Sequence, residues 1–334
     1  MSKISVNSPT FPIFFAILCL LIISCQKEYP PFDEYQVVGF TPIDSVKSGV
    51  LFVSNDKLYA LYDTVYSSRW SRIREYDISN PTRPVLLSEQ EIESISESYI
   101  IEPEDSLVFM LHSDLLILNL NTKTTELLDV PNTYDIEYMD GFLFMSSYDG
   151  LVVWDISALP NYTEVFNESL YHAPGFVTRE DTLLLEMYQD ADYIFKFWNI
   201  RDPAQPQVIA QGVMPPQPFY MNSIEMLGNK VFSFRWDYAV YRFSYVSYDS
   251  LIYEDVLFKE YAPYYRLLDS LLYLSGYYAN YFYIINTSDF DAQQQVTVHG
   301  SYYYNRILSI ETFAEKVYVL VRNQGVEIYE RREQ

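Results

Sequence analysis

The chain has 334 residues, of which 49% are hydrophobic and 17% aromatic (33 Tyr, 21 Phe), and its formal net charge is −23 at pH 7. So acidic a chain lacks the clustered Lys and Arg that phosphate backbones demand, which argues against a nucleic-acid partner. It also repels anionic lipid, so its surface alone would not hold it to a membrane.

At the N-terminus, Lys3 precedes an apolar run from Phe11 to Ile23. That run is shorter than the roughly 20 residues of a membrane-spanning helix. A basic start, an apolar middle and a small residue before a cut describe a secretory signal. The stretch Leu21-Ile22-Ile23-Ser24-Cys25 resembles a bacterial lipobox. Residues 1–24 are therefore expected to be removed. Cys19 leaves with them, and Cys25 remains as the one cysteine, with no partner for a disulfide. Acyl chains on Cys25 would make it a membrane anchor. Gln26-Lys27-Glu28 is similar to short signals that send some lipoproteins to the surface of a Gram-negative outer membrane. Residues 25–34, with Pro30 and Pro31, read as a stiffened tether.

Beyond the tether, Tyr35-Gln36-Val37-Val38-Gly39-Phe40 is an isolated strand-like segment. Seven short apolar runs then recur, most of them two residues after an Asp or Asn. They begin at Leu58, Leu107, Leu143, Leu183, Val231, Leu271 and Val317, about 43 residues apart on average. A period of roughly 40–50 residues fits four-stranded propeller blades. Near-continuous apolar runs suit strands covered on both faces, and Asp or Asn tolerates the hairpin conformation before them. The last repeat, over residues 306–332, lacks an outer strand, which the segment at 35–41 could supply. The expectation is an all-β chain: a seven-bladed β-propeller of four-stranded antiparallel blades. The other blades would span about 47–90, 95–130, 133–169, 174–212, 220–260 and 264–300, within a propeller over 35–332. Ring closure would hide the sheet edges that an open array exposes.

A second strand follows each run, and three copies end in a shared turn. They read Asp77-Ile78-Ser79-Asn80-Pro81-Thr82-Arg83-Pro84, then Asp155-Ile156-Ser157, then Asn199-Ile200-Arg201-Asp202-Pro203-Ala204-Gln205-Pro206. This resembles the LVIVD repeat family. The resemblance implies a β-propeller and a secreted or lipid-anchored bacterial protein.

Loops on one rim of such a disc carry many aromatic residues. Candidate ligand-binding residues are Trp70, Tyr134, Tyr148, His172, Tyr220, Trp236, Tyr264, Tyr265, Arg266, Tyr277, Tyr303 and Arg306. Tyr and Trp offer a flat apolar face and a hydrogen-bonding tip, which suit sugar rings, peptides or protein partners. Packing between blades would use the same residue types.

Catalytic signatures are missing from the sequence. His112, His172 and His299 stand in no metal-ligand spacing. No nucleophile elbow, phosphate loop or calcium loop occurs among only ten glycines. The expected function is a lipid-anchored cell-envelope module that binds a protein or glycan partner without catalysis, as a monomer and without a cofactor or metal. A glycan-binding surface lipoprotein is one alternative. A propeller hydrolase or lyase, with carboxylate, Tyr, Arg and His172 chemistry in the channel, is another.

Overall fold

The computed structural model describes residues 35–44, 46–54, 56–64, 70–93, 100–101, 106–111, 114–120, 122, 124–129, 133–158, 161–170, 175–189, 193–214, 221–235, 239–258, 264–268, 270–275, 281–298 and 307–332. Within them the ordered elements are strands, gathered into seven four-stranded antiparallel sheets. Sheet 1 comprises Val46–Ser54, Lys57–Thr64, Trp70–Asp77 and Val85–Glu93. Sheet 2 comprises Ile100–Ile101, Ser106–Leu111, Asp114–Asn119 and Thr125–Asp129. Sheet 3 comprises Thr133–Met139, Phe142–Ser147, Gly150–Ala158 and Asn161–Asn167. Sheet 4 comprises Phe176–Glu180, Leu183–Gln189, Tyr193–Asn199 and Gln207–Val213. Sheet 5 comprises Met221–Leu227, Lys230–Arg235, Ala239–Ser244 and Ile252–Phe258. Sheet 6 comprises Tyr264–Leu268, Leu271–Ser275, Tyr281–Asn286 and Asp289–Thr297. Sheet 7 comprises Ile307–Phe313, Lys316–Val321, Gly325–Arg331 and, at its outer edge, Tyr35–Pro42. That last strand runs antiparallel to Gly325–Arg331, from Tyr35 opposite Arg331 to Pro42 opposite Gly325.

Seven hydrophobic cores join these sheets in a ring. Tyr59 and Leu61 of sheet 1 pack with Leu116 and Leu118 of sheet 2. Leu115 and Ile117 pack with Ile136 and Leu143 of sheet 3. Phe144 and Val153 meet Leu184 and Trp198 of sheet 4, and Leu185 and Phe197 meet Ile224 and Phe243 of sheet 5. Phe232 and Phe234 meet Leu272 and Leu274 of sheet 6, while Tyr273 and Phe282 meet Ile310 and Val319 of sheet 7. Tyr318 and Leu320 then pack on Leu58, Ala60 and Tyr62 of sheet 1. Outside sheet 2, each apolar run alternates between two inter-sheet cores, which is why it is apolar without interruption. Burying one such side chain is worth about 1.5–3 kcal/mol, and every sheet contributes several to each side. The fold is a β-propeller.

The seven apolar runs are the second strands of the seven sheets. The residues before several of them have left-handed backbone: Asp56 (φ 58°), Asp140 (φ 49°) and Asp181 (φ 51°). Asp and Asn accept that conformation more readily than other non-glycine residues. Asp105 and Asp269 lie outside the described residues.

The shared turn also has a physical explanation. Ser79, Ser157, Arg201 and Ser288 each donate a backbone N–H to the side-chain oxygen two residues earlier, at 2.8–3.0 Å. This Asx turn ends the third strand at Asp77, Asn199 and Asn286 in sheets 1, 4 and 6, while in sheet 3 the strand continues to Ala158. The Ile78, Ile156 and Ile200 amides then reach back to the carbonyls of Asp56, Gly141 and Thr182 in the neighbouring hairpin, and their side chains are buried.

Candidate functional site

Counting outward from the innermost strand, the first-to-second and third-to-fourth connections turn on one side of the disc. The second-to-third connections, and those between sheets, turn on the other side, the rim. Tyr134 and Tyr148 sit at this rim, 50% and 37% exposed, with ring centroids 6.4 Å apart and planes perpendicular. They are the two candidate residues the structure brings together as an accessible aromatic pair.

Three sequence assignments shift from loop to strand. Trp70 opens the third strand of sheet 1, Tyr134 lies in the inner strand of sheet 3, and Tyr264–Arg266 lie in the inner strand of sheet 6. Aromatic side chains pack well on pleated backbone, so these segments extend the ladders rather than the loops. Tyr265 is turned inward and stacks on Phe234 at 3.8 Å, in the core between sheets 5 and 6. Arg266 is directed to Glu311, with nitrogen and oxygen 3.3 Å apart. The remaining candidates, His172, Tyr220, Trp236, Tyr277, Tyr303 and Arg306, lie outside the described residues, as does Cys25.

A polar cluster that the sequence reading overlooked lies under the sheet 3 to sheet 4 connection. The Lys196 ammonium donates to Glu168 Oε1 at 2.6 Å and sits 4.8 Å from the Tyr188 ring centre and 5.6 Å from that of Trp198. Trp198 Nε1 donates to Glu186 Oε2 at 3.0 Å. Lys196 and Glu186 are both buried and face each other across neighbouring strands. Burial pushes the Glu186 carboxyl up to about 7, against the opposing pull of Lys196. Burial alone would lower the Lys196 pKa, but the Glu168 hydrogen bond and the Glu186 charge raise it overall. The sequence signal was a Lys inside Tyr193-Ile194-Phe195-Lys196-Phe197-Trp198 and a Glu inside Leu183-Leu184-Leu185-Glu186-Met187. Buried charges are seldom found unpaired.

Acidic groups also occupy the inner strands. Asp135 is buried and accepts the Val177 and Ile136 amides at 3.1 and 3.0 Å; burial raises its pKa well above the usual range. Burial, with the nearby Glu225 charge, pushes Glu137 up to about 8. Burial likewise pushes Glu225 up to about 7. Among the described residues, no group of three or more His, Cys, Asp or Glu is arranged to hold a metal ion.

No family model matches the chain, and no curated protein matches it. Solved structures do. A computationally designed protein, Ika8, is 10% identical with a TM-score of 0.51, covering 88% of this chain and 99% of its own. A chain from the S. cerevisiae complex of Dbp5 with Nup159, Gle1, IP6 and ADP is 11% identical with a TM-score of 0.55, covering 89% and 94%. The N-terminal domain of Nup159 is 10% identical with a TM-score of 0.55, covering 89% and 95%. At such low identity the likeness establishes the β-propeller fold and nothing about activity.

Proposed function

We propose that this protein is a lipid-anchored cell-envelope β-propeller that binds a protein or glycan partner through its rim without catalysis. The observation that carries this reading is the accessible Tyr134–Tyr148 pair on the side of the disc opposite the entry of the N-terminal chain. Tyr35 pairs with Arg331, at the end of a strand that starts from the rim at Gly325. The chain therefore enters on the hairpin side. A lipidated Cys25, on a tether of ten residues reaching at most about 35 Å, would leave the aromatic rim pointing away from the membrane. Exposed aromatic side chains on rigid strand ends make effective anchors for partners.

The test is capture from envelope extracts and on immobilised polysaccharides, comparing the native protein with the Tyr134→Ala/Tyr148→Ala double variant. Loss of a retained partner in the double variant supports rim binding, and identical retention refutes it. Cys25→Ser should move the protein from the membrane fraction to the soluble fraction. A protein that stays membrane-bound without Cys25 would refute the anchor.

A further inference from the structure

The third-to-fourth connection of sheet 5, residues 245–251, lies across the outer edge of sheet 4. Tyr245 and Tyr248 set their ring centroids 4.9 and 5.4 Å from that of Phe197 in sheet 4. A Cβ on Gly212, in the outer strand of sheet 4, would stand 3.2 Å from the Asp249 carbonyl oxygen. The connection is pinned at both ends. The Tyr245 amide and hydroxyl donate to the carbonyls of Asn229 and Gly228, at 3.1 and 2.8 Å, and Leu251 is buried in the core between the two sheets. Val246 is left 87% exposed, and Tyr248, Ile252 and Tyr253 are exposed near it in the chain. In sheet 4, Val208 and Ile209 are exposed at the start of the outer strand. Both groups stand at the hairpin ends of their ladders, where Ser244 pairs with Ile252 and Asn199 with Gln207.

The charges beside this seam are largely matched. Glu254 meets Lys230 and Arg242, and Asp255 meets Arg242. Asp249 accepts the Ser247 hydroxyl, and Glu180 lies half-buried near Tyr245. Single apolar side chains are ordinary on a surface, but a group of them along one pinned seam marks a contact site. The net charge of −23 sets a second copy of the chain at a disadvantage. The N-terminal chain points to another occupant. Third-to-fourth connections turn on the hairpin side, and Tyr35, opposite Arg331, brings residues 1–34 in from that same side. Sheet 5 is two places from sheet 7, which receives the tether. A tether reaching about 35 Å lets the disc tilt until the seam meets a surface.

We propose that the seam of sheets 4 and 5 is a lipid-contact surface that seats the propeller on the membrane holding Cys25; this rests on the anchor reading above. Val246, Ile252, Val208 and Ile209 enter the boundary between headgroups and acyl chains. Tyr248 and Tyr253 there bury a ring and keep the hydroxyl wet. Asp249 and Glu180 suit the seam to zwitterionic rather than anionic lipid. The connection is already held in place, so contact demands little further ordering.

The test uses the mature lipidated protein on phosphatidylcholine vesicles, recovered by flotation. With Cys25 acylated, Val246→Cys supplies a single thiol for an NBD label. Leu170→Cys is the control, exposed on the rim where its amide meets the Asp149 carbonyl. The label at 246 should shift its emission to the blue. Nitroxide-bearing phosphatidylcholine should quench it about twofold or more beyond the label at 170. Val246→Asp, in a chain labelled through Ile252→Cys, should remove most of the quenching at that second position. Phosphatidylglycerol in place of part of the lipid should weaken it. Equal quenching at 246 and 170 in protein that floats would overturn the seating and leave the anchor standing. Protein that does not float would refute the anchor and the seating with it. A blue shift at 246 that needs no vesicles and resists the quencher marks contact with another protein chain, and also overturns the proposal.

Discussion

The Leu51 amide donates to Ser309 Oγ at 2.9 Å, tying the inner strand of sheet 1 to that of sheet 7 across 258 residues of chain. The same device recurs elsewhere in the ring. Val177 N–H reaches Asp135 Oδ2, Met226 N–H reaches Thr178 Oγ1 and Gly175 N–H reaches Ser146 Oγ, at 3.0–3.1 Å. The segments joined in each case belong to different sheets and share no ladder, so short polar side chains accept the amides instead. Ser309→Ala removes the acceptor and leaves the Leu51 amide buried and unpaired. The expected cost is about 1–3 kcal/mol, or a melting temperature lower by about 2–8 °C for a domain of this size. Thermal denaturation followed by circular dichroism measures it, and an unaltered melting curve would show that this tie contributes nothing.

Gly39 stands where the outermost strand of sheet 7 passes the turn of sheet 1. A Cβ there would lie 2.3 Å from the Thr82 carbonyl oxygen and 2.9 Å from Ile328 Cδ1. In the same region the Tyr318 hydroxyl donates to the Pro81 carbonyl at 3.0 Å. Gly39→Ala should therefore push this strand off the ring, and deletion of residues 35–41 should broaden unfolding and promote aggregation. Gly228→Ala is the control: its φ of +59° strains alanine, but nothing lies within 4 Å of the added atom, so about 1–2 kcal/mol is expected. Equal melting temperatures for the two alanine variants would contradict the steric account.

The parts legible in the sequence are those with a local cause. Leu58–Leu61 and Val317–Leu320 announce strands covered on both faces, because every residue in them must be apolar. Asp77-Ile78-Ser79 announces its turn, because the Asx bond spans two residues. The inner strands were harder to read, because polar residues such as Asp135, Arg179 and Glu225 interrupt their pattern. Their neighbours lie in other sheets, so no spacing in the chain reveals that the Glu225 charge reaches Glu137. Tyr265 and Tyr134 look alike as aromatic residues at a sheet junction. Only the packing of Phe234 separates the one turned inward from the one exposed.

Lys196 depends on long-range company in the same way. Its ammonium is enclosed by Glu168, Glu186, Tyr188 and Trp198. Lys196→Met keeps the volume but removes the cation that Glu168 and Glu186 both face. Breaking a buried pair in this way costs about 3–5 kcal/mol. The triple variant Lys196→Met/Glu168→Gln/Glu186→Gln removes the orphaned charges and should recover more than half of that loss in urea denaturation. If the triple variant is no more stable than Lys196→Met, the loss is one of packing rather than charge.

Beside Asp135, three carboxyls raised by burial set the dependence of stability on pH near neutrality. Glu137, Glu186 and Glu225 are raised from an ordinary value of 4.5 to about 8, 7 and 7, in each case chiefly by burial. Between those limits the folded chain holds protons that the unfolded chain has released, so stability falls as pH rises. The melting temperature should thus be highest near about pH 5 and decline steadily toward about pH 8.5. Glu186→Gln removes one titrating group while keeping an acceptor for Trp198 Nε1, so it should flatten the decline without lowering the acid-side plateau. A native protein whose melting temperature rises over the same interval would mean that these carboxyls are ionised at little cost, with water reaching Glu137, Glu225 and the Lys196 cluster freely.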